Sequence, residues 1–334
     1  MKSLVFSVND SSAVSEVRMA ALDLAKEEGL TAELAGSAAL VATEAATNLV
    51  KHAHNGEIHL APLSGRGSPG VEMLAMDSGP GIGDLEHWLH DGRSTAGTAG
   101  TGFGAIRRSS QVFDVYSAVG KGTAMLSQVT IGKSGALLDG HIRMGIVKRA
   151  LAGQDCCGDD WAVSVAPDSL SVMVADGLGH GLDASVASSA AVEAFLSTGP
   201  CGPGEHLLRI HNKLKSTRGA AVAVARSSYQ EGRVIFTGLG NICGMVVGPT
   251  ASQSMVSLYG TCGHSARKIQ EFTYPLPQNA LVVMHSDGLS AQWSSESDPG
   301  LLRCHPSLIA AVLYQRAVRA RDDACIIALK KDVL

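Results

Sequence analysis

The sequence predicts an α+β protein built of two domains, and three observations support this prediction. The chain has 334 residues, and domains commonly hold about 150 residues, so two domains or one large one are expected. Residues 1–131 mix helical periodicity with short strands, whereas residues 142–334 are dominated by short apolar runs. The segment 132–141 between them has the composition of a linker.

The composition excludes several classes of protein. Hydrophobic residues make up 45% of the chain, which is enough for sizeable cores and argues against intrinsic disorder. A net charge of −4 gives no basic excess, so we expect no nucleic-acid partner. No apolar run approaches the roughly 18 residues that cross a membrane, and the polar start lacks a signal-peptide core. We therefore expect a cytoplasmic protein without a membrane partner.

The seven cysteines indicate neither a disulfide framework nor a zinc site. Their number is odd, two of them are adjacent, and no CxxC pair occurs. We expect most of them to be small buried side chains.

The first domain is predicted to contain helices packed on a small sheet. Apolar residues at helical spacing predict a first helix that ends at Gly29, and Thr31 is the expected N-cap of a second helix through His52. The other predicted elements are strands at 4–8, 57–62, 71–76, 113–117 and 123–129, a glycine-rich loop at 79–104 and a helix at 105–112.

The second domain is predicted to be a β-sandwich flanked by helices, because buried strands outnumber helices. Apolar runs predict strands at 144–147, 162–165, 170–174, 220–225, 234–236, 281–284 and 325–329. Helical patterns lie at 184–196, 206–215 and 306–318.

Polar and glycine residues in the first domain suggest a nucleotide pocket. Glu44 and Asn48 are four residues apart, so they share one helix face. Asp77 ends a strand before a tight glycine turn, and glycines ahead of a helix let backbone N–H groups approach phosphate oxygens. Each signal alone is ambiguous, since such a loop is more often simply flexible and such a pair usually faces solvent. The glycines and threonines concerned are Gly97, Thr98, Gly100, Thr101, Gly102, Gly104, Gly122 and Thr123.

Four motifs in order give this domain a specific resemblance. They are EAATNLVKHA (44–53), DSGPGI (77–82), GTGFGAIRR (100–108) and GKGT (120–123). Together they resemble the Bergerat-type ATP-binding fold, an α/β sandwich shared by gyrase, histidine kinases and MutL. The resemblance is greatest to its small serine-protein-kinase branch, which regulates anti-sigma-factor antagonists.

The resemblance implies a role for each motif residue. Glu44 would be the base that accepts the proton of a protein serine, Asn48 would hold Mg²⁺, and Asp77 would bind the adenine amino group. The 97–104 loop would cover the phosphates, a sensible arrangement because phosphoryl transfer needs charge neutralisation and positioning. Phe103 and Ala105 replace the more usual leucines, which leaves turnover of ATP open. The implied ATP-contacting residues are Asn48, Asp77, Gly79, Gly81, Gly100, Thr101, Gly102, Gly104 and Thr123.

Aspartates at strand ends suggest a metal site in the second domain. Asp176 and Asp287 each end an apolar strand and precede a glycine. An isolated Asp-Gly is usually only a turn signal, but neighbouring strands would bring these carboxylates to one edge. Clustered carboxylates repel each other unless cations lie among them, and hard oxygen ligands favour Mg²⁺ or Mn²⁺.

The order of these acidic motifs resembles the PPM-type serine/threonine phosphatases, in particular their SpoIIE-like branch. The matching segments are GDDW (158–161), VADGLGHG (174–181), HSDGL (285–289) and RDDACIIAL (321–329). The resemblance implies an α-β-β-α sandwich with two Mn²⁺ or Mg²⁺ ions that acidify a water for attack on the phosphate. The implied metal residues are Asp159, the bridging Asp176, the Gly177 carbonyl, Asp287 and Asp322, with Asp160 and Asp323 as alternatives. Candidate phosphate-binding cations are Arg143, Lys148 and Arg149.

The two resemblances together imply a signalling regulator. The phosphatase would act on a phosphorylated STAS-type anti-sigma-factor antagonist or a stress-complex protein, and the kinase-like domain would add phosphate to the same class of partner. An alternative keeps the first domain non-catalytic, as an ATP-responsive module that gates the phosphatase or sequesters a partner. A purely structural interaction protein is a third reading, and a homodimer is left open.

Overall fold

A computed structural model describes residues 3–85, 102–132, 137–138, 141–248, 251–290, 298–319 and 321–331. The chain forms two compact units, and neither is one uninterrupted stretch. The first unit comprises Met1–Gly140 and Asp298–Gln315, and the second comprises His141–Ser297 and Arg316–Leu334. The expected division near 132–141 treats the C-terminal domain as continuous, whereas Asp298–Gln315, here called the inserted segment, groups with the first unit.

The first unit is built on a five-stranded antiparallel sheet of order β1-β2-β3-β5-β4. Its strands are β1 (Leu4–Val8), β2 (Gly56–Pro62), β3 (Gly70–Met76), β4 (Val112–Ser117) and β5 (Thr123–Thr130). Its helices are α1 (Ser11–Glu27), α2 (Ala32–His52) and α3 (Gly102–Arg108). Side chains begin the two long helices, because Asp10 accepts a hydrogen bond from the Ser12 N–H at 2.8 Å and Thr31 one from the Leu34 N–H at 3.3 Å.

The two faces of this sheet differ in what they bury. Alternate residues such as Ile58, Met73 and Met125 join α1 and α2 in an alanine-rich apolar core. The opposite face carries buried polar residues, including Glu72 and Gln128, which are paired across β3 and β5.

The second unit is a sandwich of two five-stranded sheets. One sheet has the order β13-β10-β9-β8-β7, and the other has the order β12-β11-β14-β15-β6. The strands are β6 (Ile142–Arg149), β7 (Asp159–Ala166), β8 (Ser169–Gly177), β9 (Ala220–Ser228), β10 (Arg233–Leu239), β11 (Cys243–Val247), β12 (Ser252–Met255), β13 (Phe272–Pro275), β14 (Leu281–His285) and β15 (Ala324–Lys331).

Two helices of this unit cover the first of its sheets. They are α4 (Leu182–Ser197) and α5 (Pro203–Lys213). Phe195 of α4 is fully buried in a cluster with Met173 and Val224 of the sheet. Between the sheets, Gly244 lies so close to Phe236 that an added Cβ would be 2.8 Å from the ring. Among the described residues, these two phenylalanines are the largest side chains that are fully buried.

The remaining helix, α6 (Pro306–Ala317), lies mainly in the inserted segment. All of its residues from Pro306 to Tyr314 are buried. A helix that is apolar on every side is typical of an element enclosed by protein. This part of the chain therefore belongs to a core and not to a surface.

The predicted α+β class is confirmed, and the structure adds detail. β11, β12 and β13 were not predicted, and the helix expected at 105–112 begins at Gly102 and ends at Arg108. Gly97, Thr98, Gly100 and Thr101 of the predicted loop lie outside the described residues. No described helix is long and apolar enough to cross a membrane. All seven cysteines are free thiols.

Candidate functional site

The first candidate site lies where α3 begins beside α2. Glu44 and Asn48 are one turn apart on α2 and are both half-buried. A Cβ added to Gly102 would lie 3.3 Å from the Asn48 side-chain amide and 3.5 Å from the Glu44 carboxylate. The structure therefore brings three of the predicted residues together, with the glycine backbone close to both polar side chains.

Asp77 is held in place at the end of β3. Its N–H donates to the Thr123 carbonyl at 2.9 Å, and its Oδ1 accepts from the Gly79 N–H at 2.7 Å. Burial raises the pKa of Asp77, while the Gly79 hydrogen bond acts in the opposite direction. The carboxylate is thus oriented by backbone donors in a partly desolvated place.

The turns around Asp77 accept only glycine at two positions. Gly81 has φ 72° and Gly122 has φ 82°. An added Cβ would lie 2.2 Å from the Ala118 carbonyl oxygen in the first case and 1.8 Å from that of Asp77 in the second. The DSGPGI and GKGT motifs therefore pack together as one unit.

The other described residues predicted for this site have different surroundings. Gly104 is buried within α3, and the ring of Phe103 lies 6.4 Å from that of Phe113. The Oγ1 of Thr123 is 2.9 Å from the Ser117 hydroxyl. Gly100 and Thr101 lie outside the described residues.

The second candidate site is centred on Asp159 and Asp176, which face each other across β7 and β8. The two residues are directly paired in the register of these strands. Asp159 is almost fully buried, and its Oδ2 accepts from the Ser286 hydroxyl at 2.6 Å. Two carboxylates opposite each other on adjacent strands repel strongly.

The pKa values of several carboxyl groups at this site are raised. Burial raises the pKa of Asp176 to about 9, and the charges of Asp159, Asp287, Asp322 and Asp323 add to the effect. Burial also raises the pKa of Asp159 to about 7, although the Ser286 hydrogen bond opposes it. The pKa of Asp322 is likewise raised, first by burial. Four predicted metal residues therefore share one electrostatic field.

The two pairs of adjacent aspartates differ in their hydrogen bonds. Both oxygens of Asp323 accept backbone N–H groups, from Leu151 at 2.7 Å and from Gly158 at 2.9 Å. The Asp322 carboxylate is less buried and accepts from the N–H of Asp323 at 2.9 Å. Asp323 therefore holds the β6–β7 connection in place.

Asp160 has a different partner from Asp159. It forms an ion pair with Lys148, with 2.8 Å between Nζ and Oδ1, and accepts from the Trp161 N–H at 3.0 Å. Lys148 was one of the three cations considered for phosphate binding, and in the structure its Nζ donates to Asp160.

Two residues of this site were not predicted. Ser286 bridges the two sheets, because it donates to Asp159 and its Oγ accepts from the Cys325 N–H at 3.0 Å. Asn241 donates to Asp287 at 2.6 Å. Ser286 lies inside the HSDGL motif and could have been found by its position, whereas Asn241 lies 46 residues from its partner in a segment without any motif.

The backbone of Gly177 lies close to that of Ala184. A Cβ at this position would lie 2.1 Å from the Ala184 carbonyl oxygen in the first turn of α4. The Gly177 N–H donates to the Gly158 carbonyl at 3.1 Å, which ties the strand end to the β7 entry.

The donors present fit divalent metal ions. The carboxylates are hard oxygen ligands, and their mutual repulsion is relieved by cations among them. Within the described residues, no group of three or more Asp, Glu, His or Cys side chains is arranged so that it could hold a metal ion. The carboxylates would therefore need water ligands to complete a site, and Mg²⁺ commonly retains several of them.

Comparison with known families gives one match for each of the two parts of the chain that carry a candidate site. A family model described as a histidine kinase-like ATPase domain matches residues 8–126. The model of Stage II sporulation protein E (SpoIIE) matches residues 166–332, which is half of the chain.

Individual relatives are more distant. The serine/threonine-protein kinase RsbT of Bacillus subtilis (strain 168) is 36% identical over 81 residues, which are 24% of this chain and 61% of RsbT. The match thus spans less than two thirds of that relative's length.

Among solved structures, one described as "The bacterial stressosome: a modular system that has been adapted to control secondary messenger signaling" has a TM-score of 0.53 at 24% identity. It covers 57% of this chain and 99% of that one, and it shows the fold alone. The phosphatase domain of SpoIIE from Bacillus subtilis, with a fragment of its regulatory domain, has a TM-score of 0.47 at 14% identity. It covers 78% of this chain and 79% of that one, a likeness too distant to carry an argument.

Proposed function

Since the chain belongs to the SpoIIE family and carries a PPM-type serine/threonine phosphatase unit, we propose that this unit dephosphorylates a protein of a stress-signalling or anti-sigma-factor pathway. The proposed substrate is a phosphorylated STAS-type antagonist or a stress-complex protein. The first unit, which matches the histidine kinase-like ATPases, is proposed to bind ATP and Mg²⁺.

One observation carries the phosphatase proposal. Asp176 is directly paired with Asp159 across β7 and β8, and burial together with the charges of Asp159, Asp287 and Asp322 raises its pKa. A folded protein keeps such a cluster where cations offset the repulsion. Asp159 and Asp322 are preferred as ligands over their neighbours, because Asp160 is paired with Lys148 and Asp323 with two backbone N–H groups.

The chain's own residues would organise the reaction. Asp176 and the Gly177 carbonyl would hold two ions, with Asp159, Asp287 and Asp322 completing the ligands. The bound ions would supply Lewis acidity and an acidified water for in-line attack on the phosphoryl group. Ser286 would keep Asp159 oriented, and Asn241 would do the same for Asp287.

The test is hydrolysis of p-nitrophenyl phosphate by the full chain at fixed free Mn²⁺. We expect Mn²⁺-dependent turnover that Asp176→Ala abolishes. The matched control is Asp168→Ala, because Asp168 is exposed in the turn between β7 and β8. Absence of turnover in the wild type, or equal turnover in Asp176→Ala, would end the phosphatase proposal.

For the first unit we propose ATP binding, with Asn48 on the Mg²⁺ and Asp77 on the adenine. Support comes from the cluster of Glu44, Asn48 and Gly102, and from the backbone donors that orient Asp77. Kinase turnover would use Glu44 as the base for the partner's serine hydroxyl.

The alternative is a non-catalytic, ATP-responsive module that gates the phosphatase or sequesters a partner. Two observations favour it: Phe103 and Ala105 depart from the kinase pattern, and the chain's own inserted segment touches Asp77. Incubation with labelled ATP and a STAS-type protein separates the two proposals. Transfer that is lost in Glu44→Gln but kept in Glu33→Gln, an exposed residue of the same helix, supports a kinase; binding without transfer supports the module.

A further inference from the structure

The inserted segment covers the polar face of the sheet in the first unit. Tyr314 meets His59 of β2 edge to face, with 5.3 Å between the ring centroids. The His305 N–H donates to Asp114 of β4 at 2.7 Å. A part of the chain that follows the phosphatase motif HSDGL is therefore seated on the nucleotide-binding unit.

A buried ionic network fixes the position of this segment. The Ser307 hydroxyl donates to Glu72 at 2.6 Å, and Glu72 also accepts from Arg66 at 2.7 Å and from Gln128 at 2.8 Å. All four residues are almost fully buried. A shift of α6 along the sheet would remove the Ser307 donor from the buried Glu72 carboxylate, so the network favours the observed position of α6.

The last residue of the inserted segment reaches the nucleotide site. The side-chain amide of Gln315 donates to the backbone carbonyl of Asp77. Asp77 is the residue proposed to bind adenine, and its N–H and carboxylate are already held by Thr123 and Gly79. Gln315 therefore holds the remaining backbone polar group of this residue.

Directly after Gln315, the chain enters the second unit and pairs beside Asp287. The Ser290 N–H donates to the Ala317 carbonyl at 2.9 Å, and the Arg319 N–H donates to the Gly288 carbonyl at 2.8 Å. Asp322 follows three residues after Arg319. The end of α6 thus connects a residue at the nucleotide site with the segments that carry two proposed metal ligands.

We propose that Gln315 is a positioning residue that couples adenine-nucleotide binding at Asp77 to metal binding at Asp287 and Asp322. This inference rests on the proposed function of both units. A bound nucleotide orders the end of β3 and strengthens the Gln315 contact with Asp77. The end of α6 and its pairing with Gly288 are then held more firmly, and the metal ligands with them.

The first experiment uses the full chain and a non-hydrolysable ATP analogue, with free Mn²⁺ fixed by a metal buffer. Saturating analogue is expected to lower the Mn²⁺ concentration for half-maximal p-nitrophenyl phosphate hydrolysis by about fivefold or more. Gln315→Ala keeps the basal turnover and loses this shift. Gln230→Ala, at an exposed turn, keeps both.

The second experiment needs neither a variant nor turnover. Hydrogen exchange of the wild-type protein is measured with and without the analogue, in the absence of Mn²⁺. The amides of Ser290 and Arg319 are expected to exchange several-fold more slowly when the analogue is bound. Unchanged exchange there, with slower exchange near Asp77, would overturn the coupling.

The outcomes separate this inference from the proposed function. A wild type without Mn²⁺-dependent turnover or without analogue binding contradicts the proposed function itself. A wild type with both properties but an unchanged Mn²⁺ requirement contradicts only the coupling. A shift that persists in Gln315→Ala contradicts the role of this residue.

Discussion

Replacement of Ser286 by alanine tests how the second site is held together. The hydroxyl is fully buried, donates to Asp159 at 2.6 Å and accepts from the Cys325 N–H at 3.0 Å. Alanine therefore removes a donor from a buried carboxylate and leaves a buried N–H without its side-chain acceptor. Each loss costs about 1–3 kcal/mol.

We expect Ser286→Ala to lower the free energy of unfolding by about 2–6 kcal/mol. For a unit of this size, 1 kcal/mol corresponds to roughly 2–4 °C, so the melting temperature should fall by at least about 4 °C. Outer hydrogen-bond partners of metal ligands commonly affect metal affinity by about 10–100-fold. The Mn²⁺ concentration for half-maximal activity should rise accordingly.

The assay is calorimetric melting together with a Mn²⁺ titration of p-nitrophenyl phosphate hydrolysis. The matched control is Ser188→Ala, because Ser188 is equally buried but its hydroxyl makes one hydrogen bond within the described part of the chain, to the Ser185 carbonyl at 3.2 Å. The control should lose less than about 1 kcal/mol. If Ser286→Ala and Ser188→Ala have the same melting temperature and the same Mn²⁺ concentration for half-maximal activity, the role assigned to Ser286 is refuted.

The other predictions concern the aspartate pair and a buried histidine. Asp322→Ala should abolish Mn²⁺-dependent turnover with little change in the melting temperature. Asp323→Ala leaves two backbone donors without acceptors and should lower the free energy of unfolding by about 2–5 kcal/mol. If Asp323→Ala abolished turnover and Asp322→Ala lowered stability, the two residues would have exchanged roles. Burial lowers the pKa of His206, whose ring nitrogens have no hydrogen-bond partner among the residues that the structure describes. Stability should therefore fall as the pH drops below about 6.5, the unfolded value. His206→Phe should reduce this loss of stability, measured as the melting temperature between about pH 7 and 5. An unchanged loss of stability would contradict the role of His206.

The predicted strands were those that carry apolar runs, and the missed ones lie mainly at sheet edges. β12 and β13 end their sheets, and β12 has the polar sequence SQSM with three exposed residues. An edge strand needs no apolar run, because one side of it faces solvent. β11 is short and contains Gly244, which weakens a strand signal.

The local placement of the motif residues at both candidate sites could be predicted, because chemistry restricts their identity locally. Glu44 and Asn48 share a helix face, and Asp176 ends a strand before a glycine, whatever the remainder of the chain does. Asn241 and Gln315 could not be predicted in this way. Their roles depend on partners 46 and 238 residues away, Asp287 and Asp77.

The place of the inserted segment also lay beyond the sequence pattern. The apolar residues at 306–318 predict a helix, and the structure has α6 at Pro306–Ala317. Apolar side chains on every face indicate burial but do not say against which unit. That choice follows from Ser307 and Glu72, whose 2.6 Å contact joins residues 235 positions apart.

Calorimetric titration of the full chain with Mn²⁺, without nucleotide, tests the central claim most directly. The proposed carboxylate cluster should bind two ions, and Asp176→Asn, which alters the proposed bridging ligand, should lose at least one of them. Melting of both proteins without metal should confirm that they are folded. Two ions in the wild type and fewer in the variant are the predicted result, and equal binding by both proteins, or none by either, would contradict the account.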